Sequence, residues 1–276
     1  MDRIFYSDGG TLEDLSVALA SYGSGTKVLN VWAFADDAIY IGSKAPFNSV
    51  FLKLGVVSSV TPNTLSVKYW TGDEWFSVVD TIDETSGLTA SGYITFTPDK
   101  DESWMMESTN HDSDQITGLT SVKIYDRYWI KITSSANFSA TTRIDWVGRK
   151  FADDTDLGYE FPELVATNTK TGTGFTTGYE AVHVKAAEVL VSDLIKKKMI
   201  FDKGQVLDRD AFKNAAVQKC AEMIFNMLGD DYVDQRNAAR EEYQHRMDVS
   251  IGLIDTNLNA IEDVSERIQR SGWLSR

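Results

Sequence analysis

The chain has 276 residues, 42% hydrophobic and 11% aromatic, which suffices for a buried core in one large domain or two ordinary ones. No window approaches the roughly 18 to 20 consecutive apolar residues of a membrane helix, so a spanning segment is excluded from the expectations. With 27 basic against 41 acidic side chains the net charge is −14, which repels a phosphate backbone and makes sequence-specific DNA binding a poor fit.

The start, MDRIFYSDGG, lacks the basic, apolar and small-residue layout of a secretory signal, so synthesis inside the cell is expected. A helix is predicted next, over Leu12–Tyr22 with Thr11 as its cap. A series of short runs rich in Val, Ile, Tyr, Phe and Trp follows: Lys27–Phe34, Ala38–Gly42, Ser49–Leu54, Leu65–Trp70, Trp75–Val79, Tyr93–Thr97, Tyr128–Thr133 and Thr142–Val147. Their spacing, punctuated by Gly, Asn, Asp, Pro and Ser, is that of a β-sandwich or jelly roll. Leu65, Val67 and Tyr69 share one face by alternation, as do Tyr128, Ile130 and Ile132. Thr71-Gly72 reads as a hairpin tip and Ser91-Gly92 as a strand entry.

The tryptophans admit two readings. Trp70, Trp75, Trp104 and Trp129 lie in or beside strands, where they fill a sandwich core. Alternatively Trp70, Trp75 or Trp104 could stack on sugar rings in a carbohydrate-binding module. The segments Tyr69-Trp-Thr-Gly-Asp-Glu-Trp, Ser91-Gly-Tyr-Ile-Thr-Phe and Tyr128-Trp-Ile-Lys-Ile resemble the discoidin-like sandwiches of phage tail and baseplate proteins, over about residues 30 to 150. The resemblance implies a virion context.

Composition changes near residue 165. Before it stand 12 basic and 24 acidic residues, all four prolines and six of the seven tryptophans; after it stand 15 basic and 17 acidic residues in an Ala, Lys, Glu and Gln-rich stretch. The polar Thr and Gly run Thr167-Asn-Thr-Lys-Thr-Gly-Thr-Gly reads as a linker. Helical spacing then takes over. Val182, Ala186, Val189, Leu190 and Leu194 predict an amphipathic helix over Glu180–Met199, with Lys196, Lys197 and Lys198 near its C-terminus, where the helix dipole favours cations. A second helix starts at Asp208 or Asp210, carries the stripe Phe212, Ala216, Cys220, Met223, Ile224 and Met227, and stops at Gly229. A third runs from about Asp231 to Ser250 on Tyr232, Ala239, Tyr243 and Met247. The expected fold class is α+β: an N-terminal antiparallel β-sandwich of jelly-roll or discoidin-like type (residues 1–165), a linker (166–179), and a C-terminal helical bundle with a tail (180–276).

In order, the helix containing Ala186-Ala-Glu-Val-Leu-Val-Ser-Asp-Leu-Ile, the Ala-rich helix Ala211-Phe-Lys-Asn-Ala-Ala-Val-Gln-Lys-Cys-Ala-Glu-Met-Ile, the acidic break Gly229-Asp-Asp and the polar helix Gln235-Arg-Asn-Ala-Ala-Arg-Glu-Glu-Tyr are followed by an Asp/Asn-rich loop and a basic tail. This series resembles the head-to-tail connector, or neck adaptor, proteins of tailed bacteriophages. The resemblance implies a homo-oligomeric ring, dodecameric in that family, beneath the portal protein and against other neck and tail proteins, with DNA passing through and no membrane partner. It also implies a virion protein assembled in the bacterial cytoplasm. Such adaptors are short, so the β half is a departure from the pattern.

The basic tail carries the candidate portal contacts Arg267, Arg270, Trp273, Leu274 and Arg276, an aromatic anchor beside arginines being the composition of an interface hot spot. The loop after the third helix places Asp255, Asn257, Asn259, Asp263 and Glu266 at positions 1, 3, 5, 9 and 12, the EF-hand spacing for Ca²⁺. Ala260 stands where the loop wants Gly and Glu262 where it wants an apolar residue, so an Asx-rich turn without metal is the competing reading. No other cofactor is expected. His111, His183 and His245 fall on separate elements without metal spacing, with His183 expected on a helix surface. Cys220 sits on an apolar stripe, where a thiol behaves as a small hydrophobe. The short loops Gly23-Ser-Gly25 and Gly172-Thr-Gly174 lack the lysine of a phosphate cradle, and the pairs Asp36-Asp37 and Asp153-Asp154 read as turns. Catalysis is not expected from this inventory.

Overall fold

A computed structural model describes residues 3–8, 11–23, 37–56, 63–106, 127–137, 142–250 and 254–261. The chain is α+β and divides into two compact units. The β unit comprises Met1–Gly148, Asp202–Gln205 and Asp255–Ile261; the helical unit comprises Arg149–Phe201, Val206–Ile254 and Glu262–Arg276.

The strands of the β unit are β1 (Arg3–Asp8), β2 (Thr11–Asp14), β3 (Ala38–Ser43), β4 (Ser49–Val56), β5 (Leu65–Trp70), β6 (Trp75–Ser77), β7 (Asp80–Asp83), β8 (Gly92–Thr97), β9 (Tyr128–Ser134) and β10 (Arg143–Gly148). They form a six-stranded sheet in the order β2-β1-β3-β9-β5-β6 and a four-stranded sheet in the order β10-β4-β8-β7. All pairings are antiparallel. The alternation Leu65, Val67, Tyr69 is realised as a buried face on β5. Trp104 ties the sheets together: its ring lies 5.7 Å from that of Tyr69 on β5 and 6.2 Å from that of Phe96 on β8. The Thr71-Gly72 tip is a hairpin, with Trp70 opposite Trp75 and the Thr71 amide donating to the Glu74 carbonyl. Trp75–Val79 shortens to Trp75–Ser77, and the expected strand Lys27–Phe34 lies outside the described residues.

The predicted helix over Leu12–Tyr22 is corrected. Thr11–Asp14 is strand β2, paired along β1, and only Ser16–Ala20 is helical (α1). Pairing with β1 captures the residues that helical spacing had claimed. The Leu15 amide donates to the Ile4 carbonyl, and the Ser16 amide to the Asp14 carboxylate. β1 itself gave no alternation because four consecutive residues, Ile4 to Ser7, are buried.

Two later segments complete the β unit. Ser43 Oγ donates to buried Asp202 at 3.0 Å. The Gln205 side chain donates to the Asp255 carbonyl and the Asp255 amide to the Gln205 carbonyl, both at 2.8 Å.

In the helical unit, α2 (Asp154–Glu160), α3 (Pro162–Val165) and α4 (Thr167–Thr173) precede the long helices α5 (Glu180–Lys196), α6 (Lys213–Leu228) and α7 (Val233–Val249). A capping box of Asp153 and Asp156 starts α2. The stretch 166–179, expected as a linker, carries α4 and ends on the fully buried Tyr179. Threonine is a weak helix former; here Thr171 and Thr173 bond back to carbonyls of their own helix, and Lys170 pairs with Asp154. The core gathers Leu157, Leu164, Tyr179, Leu190, Leu194, Phe212, Ile224 and Phe225 with Ala239, Tyr243 and Met247 of α7. Met227, expected on the apolar stripe of α6, is 48% exposed. It falls in the last turn, just before Gly229 ends the helix.

Candidate functional site

Four chemically active side chains, Asp154, Lys170, His183 and Cys220, meet inside the helical unit. Asp154, in the first turn of α2, sets one carboxylate oxygen 3.1 Å from Nε2 of His183 on α5 and the other 2.8 Å from Nζ of Lys170 on α4. The Tyr179 amide donates to the same carboxylate at 3.0 Å. Burial works against ionisation here, but the bonds from His183, Lys170 and the Tyr179 amide prevail and hold Asp154 well below the usual carboxylate range. Cys220 Sγ on α6 lies 4.0 Å from the same His183 nitrogen. Burial first, and then the negative charge of Asp154, push its thiol far above the ordinary value.

This geometry differs from that of an activated cysteine. A Cys–His nucleophile uses one ring nitrogen for the thiol and the other for an orienting group. Here the carboxylate and the thiol converge on one nitrogen, and Nδ1 is buried without a hydrogen-bond partner among the described residues. The His183 side chain is only 1% exposed and Cys220 is fully buried. The arrangement cross-links α2, α4, α5 and α6. It also corrects the expectation of a surface His183. The signal was present in the sequence, since Tyr179, His183, Ala187, Leu190 and Leu194 recur at three and four residues and are all buried.

Among the described residues this unit carries an open groove of about 560 Å³ lined by Asp193, Lys196, Lys197, Lys219, Arg240, Tyr243, Gln244, Met247 and Asp248. Its cations come from α5, α6 and α7. Lys219 and Arg240 share one carboxylate, Glu222, at 2.7 and 2.8 Å. Lys196 pairs with Asp193 at 3.2 Å and Lys197 with Asp248 at 2.6 Å. Although burial opposes it, the bonds from Lys219 and Arg240 lower the Glu222 pKa. The Tyr243 hydroxyl donates to Asp193, and burial together with that carboxylate pushes the phenol far above its ordinary value. Lys219 Nζ lies 5.1 Å from the centroid of the Tyr243 ring.

The other candidate residues are placed as follows. Trp70 and Trp104 are 1% and 7% exposed, so neither has a ring face to offer a sugar. Trp75 is half-buried, packed 5.3 Å from Trp70 and 5.6 Å from Tyr40 between ring centroids. Trp129 is a core residue. In the Asp/Asn loop, buried Asp255 accepts the amides of Asn259 and Ala260, and the Asn259 side chain accepts that of Ile261. These bonds make an Asx-rich turn, with Leu258 and Ala260 at positive φ. Asn257 is exposed, while Asp263 and Glu266 lie outside the described residues. Among the described residues no group of three or more His, Cys, Asp or Glu side chains could hold a metal ion. The tail residues Arg267, Arg270, Trp273, Leu274 and Arg276 lie outside the described residues, as does His111. His245 is exposed on α7. Asp37 is buried and accepts the Tyr6 hydroxyl, and Asp153 caps α2.

No protein-family model matches the chain, and no curated protein is significantly similar to it. Among the described residues no helix is long and apolar enough to cross a membrane.

Proposed function

We propose that the chain is a structural virion protein of a tailed bacteriophage, a neck or head–tail connector whose helical unit assembles into a ring below the portal and supports the passage of DNA. The observation that carries this reading is the order of the helical unit: α5, Ala-rich α6, a break at Gly229-Asp230-Asp231, then polar α7. That is the series in which the sequence resembles neck adaptors. The acidity of the β half suits a wall along which a duplex slides, because like charge keeps the phosphate backbone from adhering. On this reading the cluster of Asp154, His183 and Cys220 is a structural cross-link. The alternative of a carbohydrate-binding tail or baseplate module loses support with the burial of Trp70 and Trp104.

Negative-stain electron microscopy and light scattering of the full chain, alone and with a portal ring, test the proposal. Closed rings, or decoration of the portal, are expected. A single copy that stays monomeric at high concentration and ignores the portal overturns it.

A further inference from the structure

We infer that the groove between α5 and α7 receives the acidic corner of a second copy of this chain, so that copies join head to tail through two different patches of the helical unit. The inference rests on the ring reading above and names the contact that builds the ring.

The groove supplies the first patch. Its four cations, Lys196, Lys197, Lys219 and Arg240, share three internal carboxylates, which leaves a positive surplus on a chain whose net charge is −14. Exposed Lys198 continues the basic run just beyond Lys197. Met247 and Tyr243 lie beneath the groove but are only 4% and 5% exposed, so the surface it offers is its charged wall.

The second patch is the corner where α6 meets α7. Asp230, Asp231 and Asp234 are all exposed there, beside the half-exposed Met227. Negative residues at a helix N-terminus are favourable within one copy, so the corner is stable while unpartnered. Its chemistry complements the groove, with exposed carboxylates for the lysine and arginine walls. Asp234 and Arg240, the first groove residue on α7, are six residues apart, so the corner and the edge of the groove stand about 9 Å apart along the helix. Two complementary patches that do not overlap make a heterologous contact, which propagates from copy to copy and closes when the rotation permits. A two-fold dimer would need one patch that complements itself.

The test uses two charge-reversed full-length variants, one Asp230→Lys/Asp231→Lys at the corner and the other Lys196→Glu/Lys197→Glu in the groove. Self-association is followed by sedimentation velocity, with circular dichroism confirming that each variant is folded. Each variant alone is expected to associate at least tenfold more weakly than the wild-type chain. Mixed one to one, they regain assembly, because the basic corner of one fits the acidic groove of the other in alternation. Raising salt from 0.05 to 0.5 M, roughly a threefold drop in Debye length, is expected to weaken the wild-type assembly. Wild-type rings that survive both reversals unchanged overturn this contact and leave the ring reading standing. Failure of the mixture to assemble when each folded variant has lost assembly also overturns it. A wild-type chain that never associates removes both proposals.

Discussion

Asp154 draws together side chains and backbone from two other stretches of the helical unit: Lys170 of α4, and the Tyr179 amide and His183 at the start of α5. Asp154→Asn removes the charge from all three bonds while keeping the shape. Charge-assisted bonds are worth more than neutral ones, so a loss of about 1–3 kcal/mol at pH 7 is expected, read as a lower urea midpoint. The sign of its pH dependence follows from the lowered folded-state pKa. Stability from this carboxylate is complete above its unfolded value of about 3.9 and is lost as pH falls toward the lower folded value. The gap between wild type and the Asn variant should therefore be constant above about pH 5 and narrow below about pH 4. An equal gap at pH 7 and pH 3 contradicts the assignment.

At the scale of the element, Gly229 sets where α6 stops. Its φ of 98° and ψ of −162° lie in a region that only glycine adopts readily, and a Cβ built there meets no atom within 4 Å. Gly229→Ala is thus expected to cost about 1–3 kcal/mol by backbone strain alone, measurable as a lowered melting temperature. A melting temperature unchanged by the substitution rules out that geometry. This break was legible in the sequence, as were the long helices and the strand Leu65–Trp70, because each has one buried face and a strong stop signal. Elements decided by their neighbours were not. β2 exists because β1 lies beside it, β7 is the tetrapeptide Asp-Thr-Ile-Asp, and α4 is a Thr-rich helix. The groove was equally hidden, since periodicity does not say which lysines of α5 and α6 come near which residues of α7. His183 departs from the expected helix surface for a simpler reason: its position on the stripe of Tyr179, Ala187, Leu190 and Leu194 outweighs its polar chemistry, and it is buried.

At the scale of the molecule, the β unit is made from three separated stretches of sequence. Residues 1–165 alone lack Asp202, Gly204, Gln205 and Asp255, so the buried Ser43 hydroxyl loses its acceptor. That fragment is expected to unfold at lower temperature than the β unit of the full chain, with circular dichroism as the readout; equal melting would show the later stretches to be dispensable. Gly204 shows how closely they fit, since a Cβ there would stand 2.8 Å from the Pro46 carbonyl oxygen and 2.9 Å from that of Ala45. The bond from Ser43 to Asp202 spans 159 positions. On the ribosome, therefore, the strands emerge long before the last pieces they need, and α5, α6 and α7 are all synthesised before Asp255 appears. The first half of the protein must wait in an incomplete state until Asp255 has been made, which makes nascent chains stalled before that point the most exposed to aggregation and to protease attack.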